Sequence, residues 1–270
     1  MCRTMPAMKW VDVAGARLAY EDSGRSHGPI ILLLNALGTD FGIWDEQRPV
    51  LDGSLRLLRF DARGHGKSLI ADNGHAGPIS LDLLLQDACA VLDAAGVDRA
   101  HWCGTSLGGM IALRAAIHAP QRVSRLILAN TAAYLPPAEM WQSRVDTVLR
   151  DGMEPVAVAA AARWFTPEFI HDQPARVETV TSMVRATRPA DYAGCCAAIQ
   201  RMDQRASLSA LRLPTLVIAG ARDQGTPVEY AEQLVSQIAG SDLLVLDASH
   251  LACIEQAEDF STAVVDFLRT

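Results

Sequence analysis

The chain has 270 residues, 50% of them apolar and 20% charged, with 24 Lys and Arg against 31 Asp and Glu for a net charge of −7. That balance excludes a disordered, collagen-like or coiled-coil chain, and a chain of this length buries enough surface to fold without staples. The acidic surplus argues against nucleic acid as a partner, and no apolar run approaches the roughly 18 residues of a membrane span.

The N-terminal MCRTMPAMKW lacks the apolar stretch of a signal peptide. Six cysteines are too sparse for a disulfide scaffold, and with no CxxC spacing they read as free thiols rather than metal ligands. A cytoplasmic protein without membrane attachment is the expectation.

In chain order, the alternation in residues 10–22 (WVDVAGARLAYED) predicts an antiparallel edge hairpin turning near Gly15. Pro29–Leu34 and Leu55–Phe60 are apolar runs of buried-strand type. Leu81–Ala95 has helical period, with Ser80 as its cap and Gly96 as its stop. Strand His101–Thr105, helix Leu107–His118 and strand Val123–Ala129 follow, and later strands Thr215–Ala219 and Leu243–Leu246 precede helices at about 228–239 and 257–268. Strand and helix in alternation imply an α/β fold, a mostly parallel central sheet with helices on both faces. Residues 134–206 break the rhythm with helix-length segments and no convincing strand. They read as a helical cap inserted into a core of residues 1–133 and 207–270, placed where α/β proteins bind ligands.

The most specific motif is Gly104-Thr105-Ser106-Leu107-Gly108, a G-x-S-x-G between a strand and a helix. In that context the serine occupies a sharp turn with its hydroxyl exposed above the sheet, and the following amide, Leu107, faces a developing oxyanion. Ser106 needs a base. Of the seven histidines, His27, His75, His118 and His171 lie in predicted loops, helix ends or the cap. His101 opens the strand at its wrong end. His65, in Arg63-Gly64-His65-Gly66, is the runner-up. His250 follows a C-terminal strand, in the chain order serine, acid, histidine. Asp223, directly after the strand TLVIA, is the expected acid. Asp247 sits too near His250, and the position after the preceding strand holds Asn130, whose neutral amide cannot stabilise an imidazolium. The loop after the first buried strand, Asn35 to Asp40, offers the Leu37 amide as second oxyanion donor. Gly66-Lys67-Ser68 ends like a phosphate loop, but Asp61 stands where its first glycine belongs, and Asp61–Gly66 reads as scaffold.

These features resemble the α/β-hydrolase superfamily and, within it, the 3-oxoadipate enol-lactonases. The resemblance runs through LNALGTDFGIWDEQ (34–47), RFDARGHGKS (59–68), CGTSLGGM (103–110), PPAEMWQSR (136–144), RWFTPEF (163–169), DYAGCCAAIQRMD (191–203), PTLVIAGARD (214–223) and SHLACIEQAEDF (249–260). The cap segments are the most telling, since unrelated hydrolases lack them. Departures are Ala36 for the usual serine, Leu107 for methionine, and Cys253 for asparagine in the Ser249–Cys253 run.

The resemblance implies a serine hydrolase that opens an enol-lactone bearing an acetate arm, with Ser106, His250 and Asp223 as triad, Leu37 and Leu107 as oxyanion donors, and neither metal nor organic cofactor. The substrate is then a small anionic lactone, and an acidic protein must hold its carboxylate on a local donor patch. Trp141, Arg144, Arg163 and Trp164 are the candidates, Trp141 first because an indole N–H donates to carboxylates. A general carboxylesterase or carbon–carbon bond hydrolase on the same triad is the alternative, and a non-catalytic ligand sensor the rival from another class. A homo-oligomer is compatible with the sequence, which leaves the oligomeric state open.

Overall fold

A computed structural model describes residues 7–24, 28–71 and 77–269. His27, His75, Cys2 and the first six residues of the signal-peptide reading lie outside them. Among the described residues the sheet has nine strands: β1 (Lys9–Val13), β2 (Ala16–Gly24), β3 (Ile30–Leu34), β4 (Arg56–Phe60), β5 (Leu69–Ile70), β6 (Ala100–Thr105), β7 (Val123–Ala129), β8 (Thr215–Gly220) and β9 (Ser241–Leu246). Their order is β1-β2-β4-β3-β6-β7-β8-β9, with β5 paired to β2. From β4 to β9 every pairing is parallel, and β2 is antiparallel to β1, β4 and β5.

The expected elements are present, with ends shifted by a residue or two. The hairpin turns at Gly15, whose φ of 75° suits a residue without Cβ. β5 has only two residues, too few for any periodicity to reveal.

Inner strands are apolar on both faces because both faces are covered. On β3, Ile31 and Leu33 join one core with Trp44, Leu51, Phe260 and Val264. Leu32 and Leu34 point the other way, into a core with Leu84, Leu113 and Leu234. Helices α1 (Arg48–Leu51), α2 (Leu81–Ala94) and α3 (Leu107–His118) precede β7. Ser80 caps α2 by accepting from the Leu83 N–H at 3.2 Å, as its sequence position anticipates.

Between β7 and β8 stand α4 (Ala138–Asp151), α5 (Glu154–Trp164), α6 (Pro167–Asp172), α7 (Pro174–Ala186) and α8 (Pro189–Gln200). Prolines open three of them, where a missing N–H costs nothing. A lone bridge pairs Tyr134 with Asp203, and the Gln204 N–H donates to the Ala133 carbonyl at 2.8 Å, so both ends of this stretch meet. The chain closes with α9 (Val228–Gln237), α10 (Ala252–Glu255) and α11 (Ala257–Arg269). No helix among the described residues is long and apolar enough to cross a membrane.

After β3 the chain moves outward to β4, then returns across β3 to β6 and continues the other way. Such a reversal opens a crevice at the carboxyl ends of the two strands. Leu37 follows β3 and Ser106 follows β6, so both sit at that crevice.

Candidate active site

Ser106 has φ 55° and ψ −119°, a left-handed backbone rare for a residue with a side chain. Its surroundings impose the turn. A Cβ at Gly104 would lie 2.2 Å from the Gly108 backbone, and one at Gly108 would lie 2.1 Å from the Leu34 carbonyl oxygen. The two glycines of the motif thus let α3 press against β6 and β3. The Ser106 N–H donates to the Ala129 carbonyl at 2.9 Å, and its carbonyl accepts from the Thr131 hydroxyl at 2.7 Å.

Three residues far apart in sequence form one line. The Ser106 hydroxyl and His250 Nε2 are 2.9 Å apart, and His250 Nδ1 lies 2.8 Å from Asp223 Oδ2. With Nδ1–H donating to the carboxylate, Nε2 is left to accept from the serine hydroxyl. His250 and Asp223 are buried. Burial alone would raise the Asp223 pKa, but the charge of His250, its hydrogen bond and those from Thr226 outweigh it and hold the carboxyl well below the usual range. Asp223 accepts five hydrogen bonds: from His250, the Thr226 hydroxyl (2.6 Å), Asn130 Nδ2 (3.1 Å), and the Gly225 and Thr226 amides (2.8 and 3.0 Å). A carboxylate so surrounded keeps its charge and its orientation.

The alternatives are accounted for elsewhere. His65 is buried with Nδ1 3.0 Å from the Arg63 carbonyl oxygen, and it does not meet Ser106. Asp247 binds Arg222 at 2.7 Å on the surface. Asp61 accepts from the Phe41 and Lys67 amides, and Arg63 forms a buried pair with Asp87, which makes residues 61–66 a braced loop.

The Leu107 amide opens α3 and so needs no helical partner. Neither it nor the Leu37 amide donates to a backbone acceptor among the described residues. Leu37 lines the same cavity as Ser106 and Leu107 follows the serine directly, so both expected donors lie in the loops around the nucleophile.

A cavity of about 290 Å³ stands over Ser106 and His250, lined by Leu37 and by all four cap candidates, Trp141, Arg144, Arg163 and Trp164. Their roles in it differ. The Trp141 indole N–H donates to the Leu135 carbonyl at 2.8 Å, so this donor is already committed. Trp141 instead gives its ring face to the Arg144 guanidinium, 4.7 Å away. Tyr192 is buried, which raises its pKa, and the nearby charges of Arg144 and Arg163 oppose that rise. Arg163 Nε donates to the Ala159 carbonyl at 3.2 Å, and burial, then the nearby charge of Arg144, lowers its pKa. Trp164 lies with its ring 6.1 Å from the His250 ring. The Trp141 indole N–H is thus committed to the backbone, and the positive charge in the cavity wall comes from Arg144 and Arg163.

Sequence reading passes over Thr226 and Glu255, and it weighs Asn130 only as a candidate acid. Thr226 has a local signal, since Asp-x-x-Thr lets the acid accept from the residue three places on. Asn130 stands where the alternative acid position was noted, and it turns out to serve the acid at 223. Glu255 has no local signal. Its carboxylate accepts from the Thr166 N–H and hydroxyl, both at 2.7 Å, and from the Ser249 N–H, joining segments 89 residues apart.

The model of the alpha/beta hydrolase fold matches residues 29–257. The chain is 37% identical to 3-oxoadipate enol-lactonase 2 of Acinetobacter baylyi, over 96% of this chain and 97% of that one. Among solved structures, a hydrolase from Pseudomonas aeruginosa PA01 superposes with a TM-score of 0.93 at 40% identity, covering 97% of this chain and 98% of the other. The enol-lactonase from Burkholderia xenovorans LB400 also gives a TM-score of 0.93, at 34% identity, covering 97% and 100%.

Proposed function

The chain belongs to the α/β-hydrolase family, close to its 3-oxoadipate enol-lactonases, and on that premise we propose that it hydrolyses 3-oxoadipate enol-lactone to 3-oxoadipate, a step of the β-ketoadipate route of aromatic breakdown. Ser106 is the nucleophile, His250 the general base and acid, and Asp223 the group that orients and charge-balances the imidazole. As the Ser106 oxygen bonds to the lactone carbonyl carbon, its proton passes to His250 Nε2. The oxyanion is held by the Leu37 and Leu107 amides, each such donor contributing about 3 kcal/mol in known sites. Collapse re-forms the carbonyl and breaks the ring carbon–oxygen bond. The departing enol oxygen takes the proton from Nε2, and the enol tautomerises to a ketone. His250 then removes a proton from water as it attacks the seryl ester, and returns one to Ser106 on release of the acid. Every proton and electron pair is supplied by these groups and water.

The acetate arm carries a carboxylate, which Arg144 and Arg163 bind in the cap part of the cavity, with Trp141 and Trp164 as walls. We place the protein in the cytoplasm, because Cys89, Cys103, Cys195, Cys196 and Cys253 are unpaired thiols. The observation that carries the reading is the 2.9 and 2.8 Å relay beneath a cavity whose described lining holds two arginines and neither Asp nor Glu. The apolar wall of Leu135, Met140 and Ile199 favours one alternative, a general carboxylesterase on the same residues.

A coupled assay that generates the enol-lactone from muconolactone, run with wild type and Ser106→Ala, tests both. The lactonase reading expects rapid opening by wild type and a loss of about 10⁴-fold or more in the variant. Faster turnover of p-nitrophenyl acetate than of the lactone would replace it with the esterase reading.

A further inference from the structure

The turn that follows β3 carries the Leu37 amide, and a buried threonine closes it. The Thr39 N–H and the Thr39 hydroxyl both donate to the Ala36 carbonyl, at 3.1 and 2.8 Å. Gly38 has φ 82°, the left-handed region that such a turn takes at its third place. A Cβ there would lie 3.0 Å from the Tyr192 ring, so the glycine also lets the turn pack close against α8. Thr39 is 1% exposed and is not in the described lining of the cavity, whereas Leu37 is. Its hydroxyl serves one peptide unit of the turn instead of the cavity.

A trans peptide is flat, with its C=O and N–H on opposite sides. The Ala36 carbonyl and the Leu37 N–H belong to the same unit, so two donors on the carbonyl fix the direction of the N–H. The neighbouring groups are held as well. Asn35 donates from Nδ2 to the Phe60 carbonyl and accepts from Trp44 Nε1, both at 2.9 Å. The Gly38 carbonyl accepts from the hydroxyl of Thr187, between α7 and α8, at 3.1 Å. An oxyanion donor acts through preorganisation, so a donor whose peptide plane can rock stabilises the transition state less. Resting on the reading above, in which the Leu37 amide holds the oxyanion, we infer that Thr39 is the positioning residue for that donor. Its hydroxyl locks the Ala36–Leu37 peptide plane.

The test compares Thr39→Val, which keeps the shape and loses the hydroxyl, with Thr39→Ser, which keeps the hydroxyl and loses the methyl group. Turnover of p-nitrophenyl acetate is measured beside inhibition by 1,1,1-trifluorohexan-2-one. The Ser106 oxygen adds to the carbonyl carbon of this ketone, the carbonyl electron pair moves to its oxygen, and the serine proton passes to His250, so binding needs the oxyanion donors. Loss of a whole donor costs about 10²–10³ in kcat, and Thr39→Val retains the Thr39 N–H bond, so kcat is expected to fall about tenfold or more with KM nearly unchanged. Affinity for the ketone falls by the same factor, while affinity for the corresponding alcohol, 1,1,1-trifluorohexan-2-ol, and the pH midpoint of kcat stay where they are. Thr39→Ser restores most of the turnover and of the ketone affinity. Circular dichroism checks the fold of both variants. A harmless Thr39→Val, a loss as large in Thr39→Ser, or unchanged ketone affinity in Thr39→Val overturns the inference. The expected pattern in a protein that does not open the enol-lactone leaves the inference standing and removes the lactonase reading. A wild type that neither turns over the ester nor binds the ketone removes both.

Discussion

The side-chain amide of Asn130 donates to Asp223 Oδ2 across 3.1 Å, so the carboxyl ends of β7 and β8 meet at the oxygen that receives the His250 proton donor. Asn130 has φ 45° and a second donation, to the Ser249 carbonyl at 3.2 Å, which ties the histidine loop to the same point. Its amide thus reinforces the acid rather than replacing it.

Removing that donor is expected to lower kcat about tenfold with KM nearly unchanged, since a hydrogen bond to a charged group contributes about 1.5–3 kcal/mol. Asn130→Gly and Asn130→Ala both remove it, but only alanine is strained at this φ. Steady-state kinetics on both, with melting temperatures, separates the effects: kcat falls alike, and stability falls further in the alanine variant. Wild-type kcat in the glycine variant would leave Asn130 a packing residue.

Glu255 fixes the loop that carries His250. It accepts from Ser249 and Thr166, while the Ser249 hydroxyl donates to the Arg163 carbonyl at 2.9 Å and the Leu251 N–H to the Trp164 carbonyl at 3.1 Å. The base and two cavity walls therefore move together. Glu255→Gln places an NH₂ against one of the amide donors, and its kcat is expected to drop about tenfold or more. Labelling of Ser106 by a fluorophosphonate slows in parallel, because it depends on the same imidazole. A wild-type labelling rate in folded variant protein would contradict the coupling.

Asp61 gives a pH dependence of definite sign. Burial, opposed by hydrogen bonds from the Lys67 and Phe41 amides, raises its carboxyl to about 7. Between the ordinary carboxylate range and about 7 the folded protein holds a proton that the unfolded chain has lost, so stability falls as pH rises through that window, by at most about 1.4 kcal/mol per unit. Urea unfolding of wild type and Asp61→Asn from pH 5 to 8 is expected to show the wild type losing more stability than the variant. Parallel curves would show that Asp61 does not titrate there.

Gly108→Ala introduces a methyl group 2.1 Å from the Leu34 carbonyl oxygen. Backbone on both sides leaves it no space, so α3 must retreat from β3 and carry the Leu107 amide away. The expected outcome is a loss of about 3 kcal/mol or more in urea unfolding, together with near-complete loss of activity. A soluble variant of ordinary stability would contradict the packing described for the turn.

The nucleophile turn was legible because its requirements are local: strand, glycines, serine and helix follow one another, and their spacing is itself the geometry. The parallel sheet was legible for the same kind of reason, since apolar runs such as IILLL must be covered on both faces. β5 and the short helices α1 and α10 were not, because two to four residues carry no period.

Choosing His250 over His65, and Asp223 over Asp247, took chain order as well as composition, and the structure supplies the distances that chain order implies. The partners of Asp223, the brace at Glu255 and the commitment of the Trp141 indole to the Leu135 carbonyl were beyond sequence reading. An indole can serve a carboxylate or a carbonyl equally well, and only the position of Leu135 commits that of Trp141 to the carbonyl. What the sequence determined is what neighbouring residues impose on one another: elements, the strained turn and the types of reactive group. What the tertiary structure decided is which polar group faces which, because a hydrogen bond depends on ångström-scale separations between segments as far apart as the 144 residues dividing Ser106 from His250.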